Sequence, residues 1–106
     1  MHVREPWLSE MAAGRKTVEG RAGPASKFQH MIGKRITFFN NTGAVAAKVV
    51  AVRHYADLHT YLASELQAAA PQFATREEAL NAYHEFYPDS LIKERGGICA
   101  IQVVYV

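Results

Sequence analysis

A small α+β domain, in which a few strands curl toward a barrel and short helices flank them, is the fold this sequence predicts. Three observations carry that reading. Strand-period segments occur near the start, in the middle and at the end of the chain; two helical-period segments bring their own start signals; and an Asn40-Asn41-Thr42-Gly43 turn joins two apolar runs. A chain of 106 residues has room for one core, so a single domain over 1–106 with a single site is expected.

Each element follows from local chemistry. Pro6 suits a first helical turn, Trp7, Leu8 and Met11 recur at helical spacing, and Gly14 suits a left-handed stop, which predicts a short helix over 5–13. Thr17 to Arg21 alternates like a strand, with Val18 facing one way and Thr17, Glu19 and Arg21 the other. Residues 22–34 are rich in Gly, Pro, Ser and Lys and read as a surface loop. Arg35 to Asn40 and the β-branched run Ala44 to Val52 form a hairpin across the Asn-rich turn. Asp57 caps a helix through about Ala69 with Leu58, Tyr61, Leu62 and Leu66 as its apolar stripe, and Pro71 ends it. Thr75-Arg76-Glu77-Glu78 is a capping box, from which Ala79, Leu80, Tyr83, Phe86 and Tyr87 carry the helical period to Pro88. A short segment 89–94 and Gly96-Gly97 lead to a closing strand over Ile98 to Val106.

Composition narrows the function classes. Hydrophobic residues at 49% and charged residues at 21% match a folded globular domain and exclude a disordered chain. A formal charge of +2 permits an anionic partner and argues against a long duplex. The one cysteine, Cys99, lies in an apolar run, so it reads as a buried, inert thiol in a reducing, cytoplasmic setting. No signal-peptide pattern opens the chain and no apolar stretch approaches a membrane span, so a soluble protein with no membrane partner is expected. His2, His30, His54, His59 and His84 show no metal-ligand spacing, so neither a metal nor another cofactor is expected.

Chemistry concentrates in Gly14-Arg15-Lys16-Thr17-Val18-Glu19-Gly20-Arg21, where an ammonium, a hydroxyl, a carboxylate and a guanidinium surround a helix-to-strand turn. Strand alternation puts Thr17, Glu19 and Arg21 on one face, and the turn can aim Lys16 over it. A cation beside a carboxylate in a cleft has a tunable pKa, although Glu19 and Arg21 equally fit a surface cross-strand ion pair. Trp7 is a candidate for base stacking or for the core, and Tyr83, Phe86 and Tyr87 read as packing. Lys27, Lys34, Arg35, Lys48 and Arg53 fit either an RNA path or a solvated surface, and Lys27 with its loop could close over a small ligand.

Arg4-Glu5-Pro6-Trp7 followed by Gly14-x-Lys16-x-x-Glu19-x-Arg21 resembles the signature of the ASCH domain family, and the resemblance runs along the whole chain. It implies a PUA-like barrel flanked by short helices, with the signature lining a cleft suited to a nucleoside or to single-stranded RNA. Within that superfamily the chain is similar to the small bacterial N4-acetylcytidine amidohydrolases in length and in Gly14-Arg15-Lys16-Thr17. That similarity assigns catalysis to Lys16 and, through a glutamate ten residues before the proline of a Tyr-Pro pair, to Glu78, which is also the third helical residue of the capping box. Those enzymes carry threonine where this chain has Glu19, so either Thr17 supplies the hydroxyl, or Lys16 acts as base or nucleophile with an activated water while Glu78 or Glu19 shuttles the proton to the leaving amine; Arg21 and the backbone near Gly20 hold the oxyanion or the base. Three readings follow, in this order: hydrolysis of N4-acylated cytosine nucleosides; recognition of RNA or a modified nucleobase without turnover; and RNA cleavage.

Overall fold

The computed structural model describes residues 1–106 and is built around one antiparallel sheet of four strands. Strand β2 (Arg35–Asn40) turns through Asn40 to Gly43 into β3 (Gly43–Tyr55). The Asn40 side chain takes the Thr42 amide at 2.8 Å, a local bond that explains the asparagine at the start of the turn. β3 is longer than the alternating apolar run implied, because its second half leaves β2 and pairs with β4 (Ile98–Tyr105) as far as Tyr55. A register shift between Val49 and Ala51 lets it serve both partners, since an extra residue bends and twists a strand. β1 (Val18–Ala22) adds to the other side of β4, giving the order β1-β4-β3-β2.

The curled sheet is a half-barrel, and the first three residues partly span its open side. Val3 donates to the Phe39 carbonyl at 2.9 Å and Phe39 donates to the Met1 carbonyl at 2.9 Å, so 1–3 lie along the free edge of β2. From the opposite edge the Arg21 guanidinium on β1 reaches the His2 carbonyl at 2.7 Å. Val3 is buried in consequence.

Helices cover the curled sheet. α1 (Trp7–Ala12) buries Trp7, Leu8 and Met11 and stops at Gly14, whose φ of 78° is the left-handed value expected of its place after a helix. α3 (Leu58–Ala69) starts where Asp57 accepts from the Thr60 amide and buries Leu58, Tyr61, Leu62 and Glu65. Leu58, Tyr61, Leu62, Phe38, Val49, Ile98 and Ile101 lose all solvent contact, each side chain being worth about 2 kcal/mol of transfer free energy. Cys99 is likewise buried and burial raises its thiol pKa, as its apolar setting implied.

Three expectations need correction. The supposed loop 22–34 holds a helical turn, α2 (Ala25–Phe28), and a 3-10 turn over Gln29–Met31, because Phe28 is buried in the core and anchors the segment. The helix opened by Thr75, α4 (Arg76–His84), stops short of Pro88; Phe86 and Tyr87 follow it in a tight turn whose amides return to the Tyr83 carbonyl. Residues over 89–94 form a further helix, α5 (Asp89–Glu94), with Ile92 buried.

Candidate functional site

The end of α3 builds the site. A helix leaves its last carbonyls without partners, and here the segment after Gly14 supplies them: the Thr17 amide donates to Ala68 at 2.9 Å and the Lys16 ammonium to Ala69 at 2.6 Å. Lys16 also donates to the Val18 carbonyl at 2.5 Å and lies 3.4 Å from Glu19 Oε1 and 5.0 Å from the Trp7 ring centre. Its side chain has no exposed surface. Burial lowers the Lys16 pKa, the Glu19 carboxylate pulls it part of the way back, and the nearby Arg21 charge adds to the lowering. The lysine is a buried tie between helix and strand, hydrogen-bonded to two carbonyls and ion-paired with Glu19.

Glu19 carries this buried charge to the surface of a cleft. Its Oε2 accepts from Arg21 Nε at 3.1 Å and Nη2 at 2.9 Å, and Oε1 faces Lys16. The ion pair is therefore part of a cleft wall rather than a solvated strand face, and β1 is covered on both sides. The cavity holds about 200 Å³ and is lined by Glu19, Gly20 and Arg21 on one side, Trp7, Tyr83, Phe86 and Tyr87 on the other, and His2, Val3 and Arg4 at the first residues of the chain.

The aromatic wall is preorganised. Trp7 packs edgewise on Tyr83 at 5.3 Å and on Phe86 at 6.2 Å between ring centres, and Phe86 meets Tyr87 at 5.1 Å. Behind Gly20 the Tyr61 and Tyr83 hydroxyls share a 2.9 Å hydrogen bond, and burial raises both pKa values. A Cβ on Gly20 would lie 2.5 Å from the Tyr61 hydroxyl, so glycine is required there for the buried tyrosine to pack against β1 behind the cleft.

The site residues expected from the sequence divide. Trp7, Glu19, Gly20 and Arg21 line the cleft, and Lys16 lies directly behind Glu19. Thr17 is half-buried ahead of β1 and is absent from the lining, its backbone being spent on Ala68 and Val103. Glu78 is exposed at the start of α4, its amide donating to the Thr75 hydroxyl cap and its carboxylate accepting from that same hydroxyl, and it too is absent from the lining. Lys27 is exposed over the Phe28 ring and takes no part in the cleft. Of the supposed basic track, Arg53 is tied to Glu65 at 2.6 Å. His2, Arg4 and the Tyr83, Phe86 and Tyr87 wall had no marked role; the helical spacing of the aromatics was visible, but only the fold turns that stripe onto a cavity.

No group of His, Cys, Asp and Glu side chains is placed to hold a metal ion, and no helix is long and apolar enough to cross a membrane. Chemically the cleft offers aromatic side chains for a ring to pack against and a carboxylate acceptor beside a guanidinium donor.

Solved structures share this architecture. The crystal structure of hypothetical protein PH0355 is similar over 100% of this chain and 96% of its own, with 26% identity and a TM-score of 0.85. The solution structure of protein PF0455 from Pyrococcus furiosus matches 100% of this chain and 94% of its own, at 27% identity and a TM-score of 0.75. The crystal structure of ASCH from Zymomonas mobilis shares the fold at 16% identity and a TM-score of 0.64, over 98% of this chain and 64% of that one. No protein of curated function matches the sequence. The ASCH domain model matches residues 1–102, so the chain belongs to the ASCH domain family.

Proposed function

We propose that the cleft binds a cytosine-type nucleobase, edge-on to Glu19 and Arg21 and against the aromatic wall. The observation that carries this reading is the pairing of that wall with a carboxylate whose two oxygens are held by Arg21 and Lys16. Base–aromatic contact contributes about 1–3 kcal/mol per base, and an acceptor carboxylate suits the exocyclic amine of cytosine. A cavity of about 200 Å³ is smaller than the ~300–1,000 Å³ of drug-sized sites, which favours a single base with its sugar outside.

A second reading, hydrolysis of N4-acetylcytidine in the same cleft, is favoured by the contact of Lys16 with Glu19. In it, Glu19 takes a proton from water as the oxygen attacks the acyl carbon. The C–N bond breaks, the proton passes to the leaving amine, and cytidine and acetate separate. Lys16, hydrogen-bonded to Val18 and Ala69 and ion-paired with Glu19, acts by positioning the carboxylate rather than as the nucleophile.

Titrating the protein with cytidine and N4-acetylcytidine while following Trp7 fluorescence, with product analysis of each mixture, tests both. The sequence has one tryptophan and it lies in the cleft, so occupancy should change its emission. Released cytidine that disappears in Glu19→Gln supports hydrolysis, binding without product supports recognition, and no response to either ligand overturns both. RNA chain scission in a parallel incubation would instead favour the nuclease reading.

A further inference from the structure

The charges around the cleft do not balance. Lys16 and Arg21 both lean on Glu19, at 3.4 Å and 2.9 Å, so one carboxylate already serves two cations. Arg4, a third cation, lines the same cavity and forms no ion pair. Glu5, its neighbour in sequence, is turned away into bonds with Ser9 and Thr42. The Arg4 side chain is nevertheless held, its guanidinium lying 4.8 Å from the centre of the Phe86 ring, which is part of the aromatic wall. A guanidinium stacked in this way keeps its N–H fork free for an anion, in the planar geometry that suits phosphate oxygens.

Position completes the argument. Arg4 is exposed whereas Trp7, Glu19 and Tyr83 are buried, so Arg4 marks the mouth of the cavity and the others its depth. A base that fills a cavity of about 200 Å³ leaves its ribose, and anything esterified to it, at that mouth. The local excess of positive charge in a partly enclosed site favours an anion there. Resting on the nucleobase reading above, we infer that the ligand is a phosphorylated cytosine nucleoside, whose phosphate is taken by Arg4 at the mouth while its base lies against Glu19.

The phosphate can belong to a free mononucleotide or to the backbone of a strand, and both arms enter the test. Parent protein and Arg4→Gln are labelled with ¹⁵N and titrated with inorganic phosphate, cytidine, cytidine 5′-monophosphate and a short cytosine-containing single-stranded RNA, following backbone and arginine side-chain resonances. Charge-assisted hydrogen bonds predict that the phosphorylated ligands bind the parent roughly tenfold or more tighter than cytidine, with the Arg4 side chain shifting. The advantage should shrink in high salt and fall toward one in Arg4→Gln, with Arg4→Lys between. Preference for the mononucleotide identifies a small-molecule site; preference for the strand identifies a backbone contact. Equal affinities for cytidine and its phosphate in the parent, or an advantage that survives Arg4→Gln, overturns the inference and leaves base recognition standing. Phosphate and mononucleotide shifts at Arg4 without cytidine shifts at Trp7 and Tyr83 would overturn base recognition and retain the anion site.

Discussion

Lys16 shows how one side chain can look catalytic and be structural as well. An ammonium beside a carboxylate is a recognised acid–base arrangement, and burial does lower this lysine's pKa. Its ammonium, however, donates to the Val18 and Ala69 carbonyls and is ion-paired with Glu19. Removing it orphans two buried carbonyls and leaves Glu19 with Arg21 alone. Lys16→Met, which keeps the bulk and loses the bonds, should therefore destabilise the protein by about 3 kcal/mol. A urea denaturation with an unchanged slope would read this as a lower midpoint, and a loss under about 1 kcal/mol would show that the tie is dispensable.

Between elements, α3 is held to the sheet through its C-terminal half. The Lys16 ammonium and the Thr17 amide take up its last carbonyls. One turn earlier, Glu65 is buried and receives Arg53 Nε at 2.6 Å and the Tyr55 hydroxyl at 2.7 Å from β3. Burial works to raise the Glu65 pKa, but the Arg53 and Tyr55 bonds outweigh it and the value is lowered from 4.5. The folded carboxylate thus releases its proton more readily than the unfolded one, so its contribution is complete above about pH 4.5 and is lost as pH falls through the folded value. Glu65→Gln should cost about 1–2 kcal/mol at neutral pH, the half-exposed Arg53 being partly screened, and should lose less stability than the parent between neutral pH and pH 3 in thermal scans.

Helix α4 supplies a second contrast at this level. Thr75 and Glu78 exchange hydrogen bonds at its start, outside the cleft. Thr75→Ala should cost about 1 kcal/mol of stability, and Glu78→Ala a few tenths, both with nucleoside binding and any deacylation intact. Loss of activity in a stably folded Glu78→Ala protein would return that glutamate to the mechanism.

The molecule as a whole depends on a short segment to complete its half-barrel. Residues 1–3 run along β2, receive Arg21 from β1 and put His2 and Val3 into the cleft lining. The residues that bridge the open side of the half-barrel are thus also part of the site. Val3→Asp should cost about 2–3 kcal/mol by burying a charge without a partner, and should weaken ligand binding beyond what partial unfolding explains. The check is to compare affinity with the folded fraction at several urea concentrations; a variant that binds normally whenever folded would separate closure from the site.

Local order was readable because local forces specify it. The 3.6-residue period of Leu58, Tyr61 and Leu62 with the Asp57 cap marks α3, and the Asn40 turn marks the hairpin. The signature also singled out Glu19 and Arg21, which line one cleft. Short elements anchored by a single buried residue, such as α2 by Phe28 and α5 by Ile92, were not readable, since their stability comes from distant packing. The same reason separates the members of the site. Strand alternation alone would have kept Thr17 with Glu19 and Arg21, yet pairing with Ala68 and Val103 takes it elsewhere, and spacing alone would have brought Glu78 inward. Residue types, helix signals and the charged motif are properties of neighbours along the chain and follow from sequence. The cleft is a property of surfaces brought together from β1, α1, α4 and the first residues, and which side chains face it is settled only when those elements pack.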